Sequence, residues 1–299
     1  MLNYIKDLIM SKTLKIGFTD THPHLAQFFQ SILSSRYDIE IDNESPDFLL
    51  FGDKNFGENN LNYSKDDCIK IFYTGENQRP EDYDCHYAIS FDHNFEPWHY
   101  RLPLYTVYMW ALENIHNTKY DYNYIFNPEI KEKEGFCSFV VGNPNCKERN
   151  VFFEMLHSEK HVDSPGKVHN NMDVNLEGEA AKIEFLSTRK FNICFEPYSY
   201  PGYVTEKILH AFYAGTVPIY WGSETISSDF NPDSFVNVHN FSSFTEVIEY
   251  VKFLDNNADA YNAMLNAPKF KNGIPPSYIM LDNFLNWFDA VVYNKILQQ

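Results

Sequence analysis

Residues 191–222, FNICFEPYSYPGYVTEKILHAFYAGTVPIYWG, leave this chain few folds to choose from. Phe191 to Phe195 is an apolar run of strand length, followed by a loop rich in Pro, Gly and Tyr. The spacing predicts a helix over about Thr205 to Ala214 and a second strand over Val217 to Trp221. Gly215 is the expected helix terminator, because the left-handed region costs least without a Cβ. Strand, loop, helix and strand make a βαβ unit, so the helix starts at the carboxyl end of a parallel strand, where α/β sheets bind anions. Glu206 and Lys207 fall in the first helical turn. A lysine there opposes the helix dipole, and a phosphate held at that end is the expected reason for it.

The remainder of the chain repeats the pattern. Leu14 to Phe18, Phe48 to Phe51, Cys68 to Tyr73 and Tyr87 to Phe91 read as short buried strands. Leu25, Phe28, Phe29, Ile32 and Leu33 recur at helical spacing after the first of them. Residues 93–124 are rich in aromatics and histidine, and the charged run Lys131-Glu132-Lys133-Glu134 is the expected interdomain linker. Phe136 to Val141 then opens a second strand–turn–helix start, with a helix over Cys146 to His157. Ser243-Phe244-Thr245-Glu246 is a capping box that opens another helix, and Leu281 to Val292 carries a last amphipathic face. The expected divisions are residues 1–130, residues 131–275, and a C-terminal helix in 276–299 that packs back on the first domain.

Charge and composition exclude several classes. A net charge of −17 argues against a nucleic-acid partner, since phosphate neutralisation needs clustered Lys and Arg. Any anionic ligand must be gripped locally, against an acidic background. The five cysteines are widely spaced without a C-x-x-C pair, which suits reduced structural thiols in a cytoplasmic protein. His22 and His24 have no H-E-x-x-H or carboxylate companions, so no metal ligand set is expected. No stretch reaches the ~18 apolar residues of a membrane span, and the first twelve residues lack the apolar core of a signal peptide. The N-x-S matches at Asn43, Asn62 and Asn240 are then without consequence.

Chemistry-bearing residues stand out once the strands are placed. Glu76 follows the third strand of the first half, at its carboxyl end. Arg149 lies in the first turn of the helix after the first strand of the second half. Tyr203, Glu206 and Lys207 lie at the equivalent end of a later strand. Taken singly, each has an ordinary structural reading: a solvated turn acid, a surface helix arginine, a solvated first turn, a packed tyrosine. If the two halves face each other, the set converges. An arginine fork and a lysine point charge suit a diphosphate, and a carboxylate suits the removal of a hydroxyl proton.

The run C-F-E-(x)5-G-Y-V-T-E-K-I, followed by A-G-T-V-P-I-Y-W-G and D-F-N-P-D-S-F-V-N-V-H-N-F, resembles the α-1,3-fucosyltransferase signature. The likeness is to the soluble bacterial members that build Lewis-type antigens. It is dense from Phe191 to Phe241 and sparser upstream, at Y-T-G-E-N (Tyr73 to Asn77), Y-R-L-P-L-Y (Tyr100 to Tyr105) and F-V-V-G-N-P-N with Arg149-Asn150. The resemblance implies an α/β GT-B fold, two Rossmann-like domains facing across a cleft. The first would bind the acceptor and carry the base, and the second would bind GDP-fucose. It implies inverting transfer of L-fucose from GDP-β-L-fucose to GlcNAc in a Gal-GlcNAc glycan, in α-1,3 linkage. Its base falls on Glu76 and its donor contacts on Arg149, Tyr203, Glu206 and Lys207, with Glu196, Asn150 and His24 as further donor-loop or acceptor contacts. It implies no required cofactor, with Mn²⁺ at most a stimulant, and a monomer or dimer in the cytoplasm or at the periphery of the inner membrane.

Three departures from the family pattern are visible. Pro197 stands where relatives commonly have Asn, which removes an amide near the donor loop and stiffens it. Val168-His169-Asn170 stands where relatives often carry an Arg, which implies one phosphate contact fewer. The segment 294–299 lacks the basic heptads that some bacterial relatives use to dimerise and attach to membranes. Alternatives remain open at this level: a glucose or type 1 (α-1,4) acceptor, another GDP-deoxysugar, or a nucleotide- or glycan-binding protein without catalysis.

Overall fold

The structure, a computed structural model, describes residues 13–114, 128–174 and 176–298. The chain forms two compact units, one made of residues 1–103 and 277–299 and the other of residues 104–276.

The first unit is a six-stranded, all-parallel sheet in the order β2-β1-β3-β4-β5-β6. Its strands are β1 (Thr13–Thr19), β2 (Asp38–Ile41), β3 (Phe48–Phe51), β4 (Ile69–Tyr73), β5 (Tyr87–Ser90) and β6 (His99–Arg101). Parallel sheets are covered on both faces, so their central strands read as unbroken apolar runs. In β3 and β4 every residue is buried. Each buried aliphatic or aromatic side chain there contributes at most about 1.5–3 kcal/mol. Lys70 is the one charged residue in that layer. Its ammonium is met by the carbonyls of Asn60 at 3.0 Å and Tyr63 at 3.3 Å, with Asp84 at 3.8 Å.

Helix α1 (Pro23–Ser34) follows β1 and buries Phe28, Phe29, Ile32 and Leu33, the residues its periodicity selects. The last helix, Leu281–Gln298, belongs to this unit. Phe284 meets Phe29 and Tyr100, and Phe288 meets Tyr37 and Phe48. Asp289 receives Arg36 at 2.8 Å and the Tyr37 hydroxyl.

The second unit is a five-stranded parallel sheet in the order β11-β10-β9-β7-β8. Its strands are β7 (Gly135–Ser138), β8 (Val162–Asp163), β9 (Arg189–Phe195), β10 (Val217–Trp221) and β11 (Val236–Asn237). Helices α2 (Leu104–Asn114), α3 (Lys147–Glu159), α4 (Gly178–Ser187), α5 (Glu206–Tyr213) and α6 (Phe244–Asn256) belong to it. Phe139, Phe152, Phe191, Phe195, Val217, Ile219, Val247 and Val251 are among the residues of its core. The forward half of the capping box forms, with the Ser243 hydroxyl accepting from Glu246 N–H at 3.3 Å, while the Glu246 carboxylate reaches back one residue further, to Ser242 N–H at 2.9 Å.

Two expectations change. The chain divides after Pro103, not near residue 130, because α2 belongs to the second unit. The Tyr105 N–H donates to Val204 O at 3.4 Å, and its hydroxyl donates to Asp229 at 3.0 Å. The charged run is likewise no free linker. Lys133 donates to the carbonyls of Ser187 at 2.7 Å and Gly215 at 2.6 Å, and Glu134 N–H donates to Thr188 O at 2.8 Å. Burial brings the Lys133 pKa down to about 8.

Candidate active site

The βαβ unit of the opening motif is β9, α5 and β10, with β9 and β10 paired in register from Phe191–Val217 to Phe195–Trp221. Gly215 ends the helix at φ 58°, the left-handed residue its position requires. Between β9 and α5 the chain leaves the sheet edge through Glu196 to Thr205. That loop is tied to the turn after β10: Gly202 N–H donates to the hydroxyls of Ser223 at 2.8 Å and Thr225 at 3.0 Å, and Ser199 donates to Gly222 O at 2.8 Å. Tyr203 is 2% exposed at the end of the loop, with its ring 6.4 Å from that of Tyr198.

Glu196 was expected to contact a ligand from this loop. It is instead fully buried, and both of its carboxylate oxygens are engaged by the protein. One accepts the Thr205 N–H at 2.8 Å; the other accepts the Thr205 hydroxyl at 2.7 Å and lies 3.1 Å from the Lys207 ammonium. Its N–H is bonded to Trp221 O at 2.8 Å, which carries the pairing of β9 with β10 one residue further. A Cβ on Gly222 would stand 2.6 Å from its Cγ.

Lys207 is held by three groups: the Thr205 hydroxyl at 2.8 Å, Glu196 at 3.1 Å and Glu206 at 3.5 Å. Burial disfavours the ammonium, but Glu196 and Glu206 outweigh it and keep its pKa above the ordinary lysine value. Burial likewise opposes the Glu206 carboxylate, and Lys207, Lys182 and His210 overcome it and hold the group well below the usual range. Burial pushes the Glu196 carboxyl up, against the pull of Lys207. The lysine that seemed misplaced beside a helix dipole thus has a partner inside the protein, in addition to any ligand it serves. The side chains of Glu206 and Lys207 remain 18% and 22% exposed, enough for a ligand to reach them.

Arg149 enters from the neighbouring strand. It is the third residue of α3, 2% exposed, and its guanidinium donates to Phe195 O at 3.3 Å and to Asn143 O. It therefore bridges the carboxyl end of β9 and the loop after β7, the two strands at which the strand order reverses. Its Nε is buried without a partner among the described residues. Burial lowers its pKa, with Cys146, Glu196 and Glu206 opposing. Asn150 donates to Pro144 O at 2.8 Å, and its own carbonyl oxygen is buried without a partner among the described residues. Formally the charges of Arg149 and Lys207 balance those of Glu196 and Glu206.

In the first unit Glu76 is exposed in the turn after β4, at the carboxyl edge of the sheet. The turn is fixed on both sides. Glu76 N–H donates to the Thr74 hydroxyl at 3.0 Å, and Thr74 donates to Asp53 at 3.0 Å. On the other side Arg79 binds Asn77 and Asp92 and lies 4.6 Å over the Phe91 ring. His24 is exposed in the first turn of α1, its ring 5.0 Å from that of His22. Among the described residues no group of three or more His, Cys, Asp or Glu side chains is placed to hold a metal ion, and no helix is long and apolar enough to cross a membrane.

Sequence reasoning placed Arg149, Tyr203, Glu206 and Lys207 at one sheet edge, and the structure puts them there. It missed Thr205, whose hydroxyl links Glu196 to Lys207, and the Asp53–Thr74 pair that props the Glu76 turn. Thr205 carried a signal, as a hydroxyl residue just ahead of a helix; Asp53 did not, because its partner Thr74 lies 21 residues on, past the next strand.

Comparison with known proteins agrees with this layout. Residues 15–108 match the α-(1,3)-fucosyltransferase FucT N-terminal domain, and residues 130–270 match the C-terminal domain of glycosyltransferase family 10 (fucosyltransferase). The α-(1,3)-fucosyltransferase FucT of Helicobacter pylori is 38% identical over 263 residues, which is 78% of this chain and 54% of that protein. The mouse 4-galactosyl-N-acetylglucosaminide 3-α-L-fucosyltransferase 9 is 32% identical over 143 residues, 46% of this chain and 38% of that protein. The chain thus spans about half the length of the curated relatives it matches, or less. Crystal structures of an α1,3-fucosyltransferase, alone and with GDP-fucose, superpose with TM-scores of 0.78 and 0.75 at 32% identity. They cover 94% of this chain and 90% and 91% of those chains. With two all-parallel α/β units and these matches, the chain belongs to the α-(1,3)-fucosyltransferase family, glycosyltransferase family 10, and has the GT-B fold.

Proposed function

We propose that the protein transfers L-fucose from GDP-β-L-fucose to the 3-hydroxyl of GlcNAc in an N-acetyllactosamine-type glycan, with inversion, giving a Lewis x-type product. The observation that carries this reading is the pair of cations, Arg149 and Lys207, held at the carboxyl ends of β7 and β9 beside Glu206 and Tyr203. It is supported by the GDP-fucose complex of a protein alike over 94% of this chain, and by the relative whose name specifies a galactosyl-N-acetylglucosaminide acceptor.

In this mechanism the second unit binds the donor and the first binds the acceptor. Glu76 takes the proton of the attacking hydroxyl, whose oxygen forms the new bond to the anomeric carbon as the bond to the diphosphate oxygen breaks. Charge develops on the departing GDP, and the Arg149 fork and the Lys207 point charge offset it. Direct displacement needs one base and no enzyme nucleophile. The diphosphate charge is carried by these side chains, and Mn²⁺ enters at most as a stimulant. The reaction would take place in the cytoplasm, where nucleotide sugars are made, or at the inner face of the membrane.

The test is transfer from GDP-fucose to a panel of acceptors: N-acetyllactosamine, the type 1 isomer, and a glucose-terminated analogue, with the linkage read by NMR. The expected result is an α-1,3 product on N-acetyllactosamine. Transfer to the type 1 chain alone overturns the acceptor assignment, and binding without transfer overturns the enzymatic one. Glu76→Gln is expected to abolish transfer and leave GDP affinity within about twofold, as befits a group that acts only in the transition state. Normal turnover in that variant removes Glu76 from the mechanism.

A further inference from the structure

The reaction above employs Arg149 and Lys207 and leaves Glu196 unused, although a fully buried carboxylate at a sheet edge is costly to maintain. Capping does not account for it. The Thr205 N–H at the start of α5 needs an acceptor, and a neutral glutamine oxygen can meet an N-cap N–H as a glutamate does. What only a charge can do here is face the Lys207 ammonium at 3.1 Å.

Lys207 requires such a partner. It sits in the first turn of a helix, where the dipole repels cations, and it is partly desolvated; both effects favour loss of its proton or escape of its flexible stem into water. Against them stand the Thr205 hydroxyl, Glu206 and Glu196. Thr205 is itself set by Glu196, to which it gives both its N–H and its hydroxyl hydrogen. Glu206 is partly exposed and open to a ligand, so of the two anions Glu196 is the one committed wholly to the protein. The local sequence presets it. Glu196 precedes Pro197, which confines it to extended backbone, and Gly222 leaves room for its side chain where any Cβ would collide.

We infer that Glu196 is a positioning residue, which fixes the Lys207 ammonium at the start of α5 for the donor diphosphate and acts through Lys207 and Thr205 without touching the donor. This rests on the reading of Lys207 as a diphosphate ligand. Pro197, which replaces an amide in this loop, then serves to hold the buried carboxylate in place.

The experiment is a double-mutant cycle with Glu196→Gln and Lys207→Ala, read by calorimetric titration with GDP and by competition with guanosine, which lacks the phosphates. Glu196→Gln keeps the shape and an acceptor for Thr205 and removes only the charge. It is expected to weaken GDP by about tenfold in the otherwise unaltered protein and not at all in the Lys207→Ala background, a coupling of ordinary size for groups in contact. Guanosine affinity should not change. GDP binding in Glu196→Gln should also fail at lower pH than in the unaltered protein, because Lys207 loses the larger of the two charges that keep it protonated. Unchanged or tighter GDP binding, an equal loss in the Lys207→Ala background, or an equal loss for guanosine each overturns the inference. If Lys207→Ala alone leaves GDP affinity intact, the donor-site reading falls first, whatever Glu196→Gln does. Should Glu196→Gln not fold, Thr205→Val removes the hydroxyl that links the two charges. It is expected to weaken GDP and spare guanosine, and equal weakening of both overturns the proposal.

Discussion

Arg149 is a side chain that the fold uses and to which the proposed reaction gives a second task. Its two guanidinium nitrogens tie the end of β9 to the loop after β7. Lysine keeps the charge and cannot reproduce the fork. Arg149→Lys should therefore weaken GDP by about 100-fold, the scale of a lost charge-assisted contact, and lower the melting temperature by several degrees, since the buried Phe195 carbonyl and the partly buried Asn143 carbonyl lose their donor. Unchanged GDP affinity with a lowered melting temperature would make Arg149 purely structural. Residues of this kind were legible in the sequence because an arginine or lysine one turn into a helix, after an apolar strand, points to the sheet edge. The burial of Glu196 was not legible. A glutamate that ends a strand looks the same whether it turns outward to a ligand or inward to a neighbour, and only the spatial proximity of Thr205 and Gly222 decides it. His169 is a similar case: the sequence notes it as a departure from an arginine, and the structure stacks its ring on Phe153 at 4.6 Å.

Helix α5 is the element on which most of the site depends, and its second turn carries a test of its own. His210 lies one turn after Glu206, 1% exposed, with its ring 5.8 Å from Tyr108 of α2 and its Nε2 3.9 Å from Glu179 of α4. Burial, joined by Lys182 and Lys207 and opposed by Glu206, pulls its pKa from 6.5 down to about 3. The folded protein thus refuses a proton that the unfolded chain accepts, and stability is lost as pH falls from 6.5 towards 3. His210→Phe should keep the ring packing and remove about one proton from the uptake on unfolding across that window. Urea midpoints of both proteins at pH 6.5 and 4 measure this, and parallel losses would place the acid sensitivity elsewhere. At this scale the sequence was informative wherever an element was long and apolar. It left β2 unread because the alternation Asp-Ile-Glu-Ile lasts only four residues, too short a run to stand out from the polar sequence around it. It left β6 and α2 unread because three strand residues and a helix meet at Pro103 inside one aromatic stretch, where periods of 2 and 3.6 cannot be told apart.

At the scale of the molecule, the chain leaves its first unit at residue 103 and returns to it at residue 277. The returning helix covers Phe29, Tyr37, Phe48 and Tyr100. A chain ended at Pro276 should therefore lose amide protection throughout β1 to β6 in hydrogen exchange while β7 to β11 keep theirs. Retained protection in β1 to β6 would show that the six strands and α1 suffice. The same route through space sets an order in time. On the ribosome the strands of the first unit emerge first, yet the segment that covers their core is made only after residues 104–276. At about 5–20 residues per second that delay is roughly 10–35 s. Through it the aromatic face that Phe284 and Phe288 will cover stays open to water and to other nascent chains. The second unit, continuous in sequence, can be complete before the first is closed. Birth order and folding order are thus opposed in this protein, and the yield of folded protein should depend on whatever chaperone shelters the early strands during the wait.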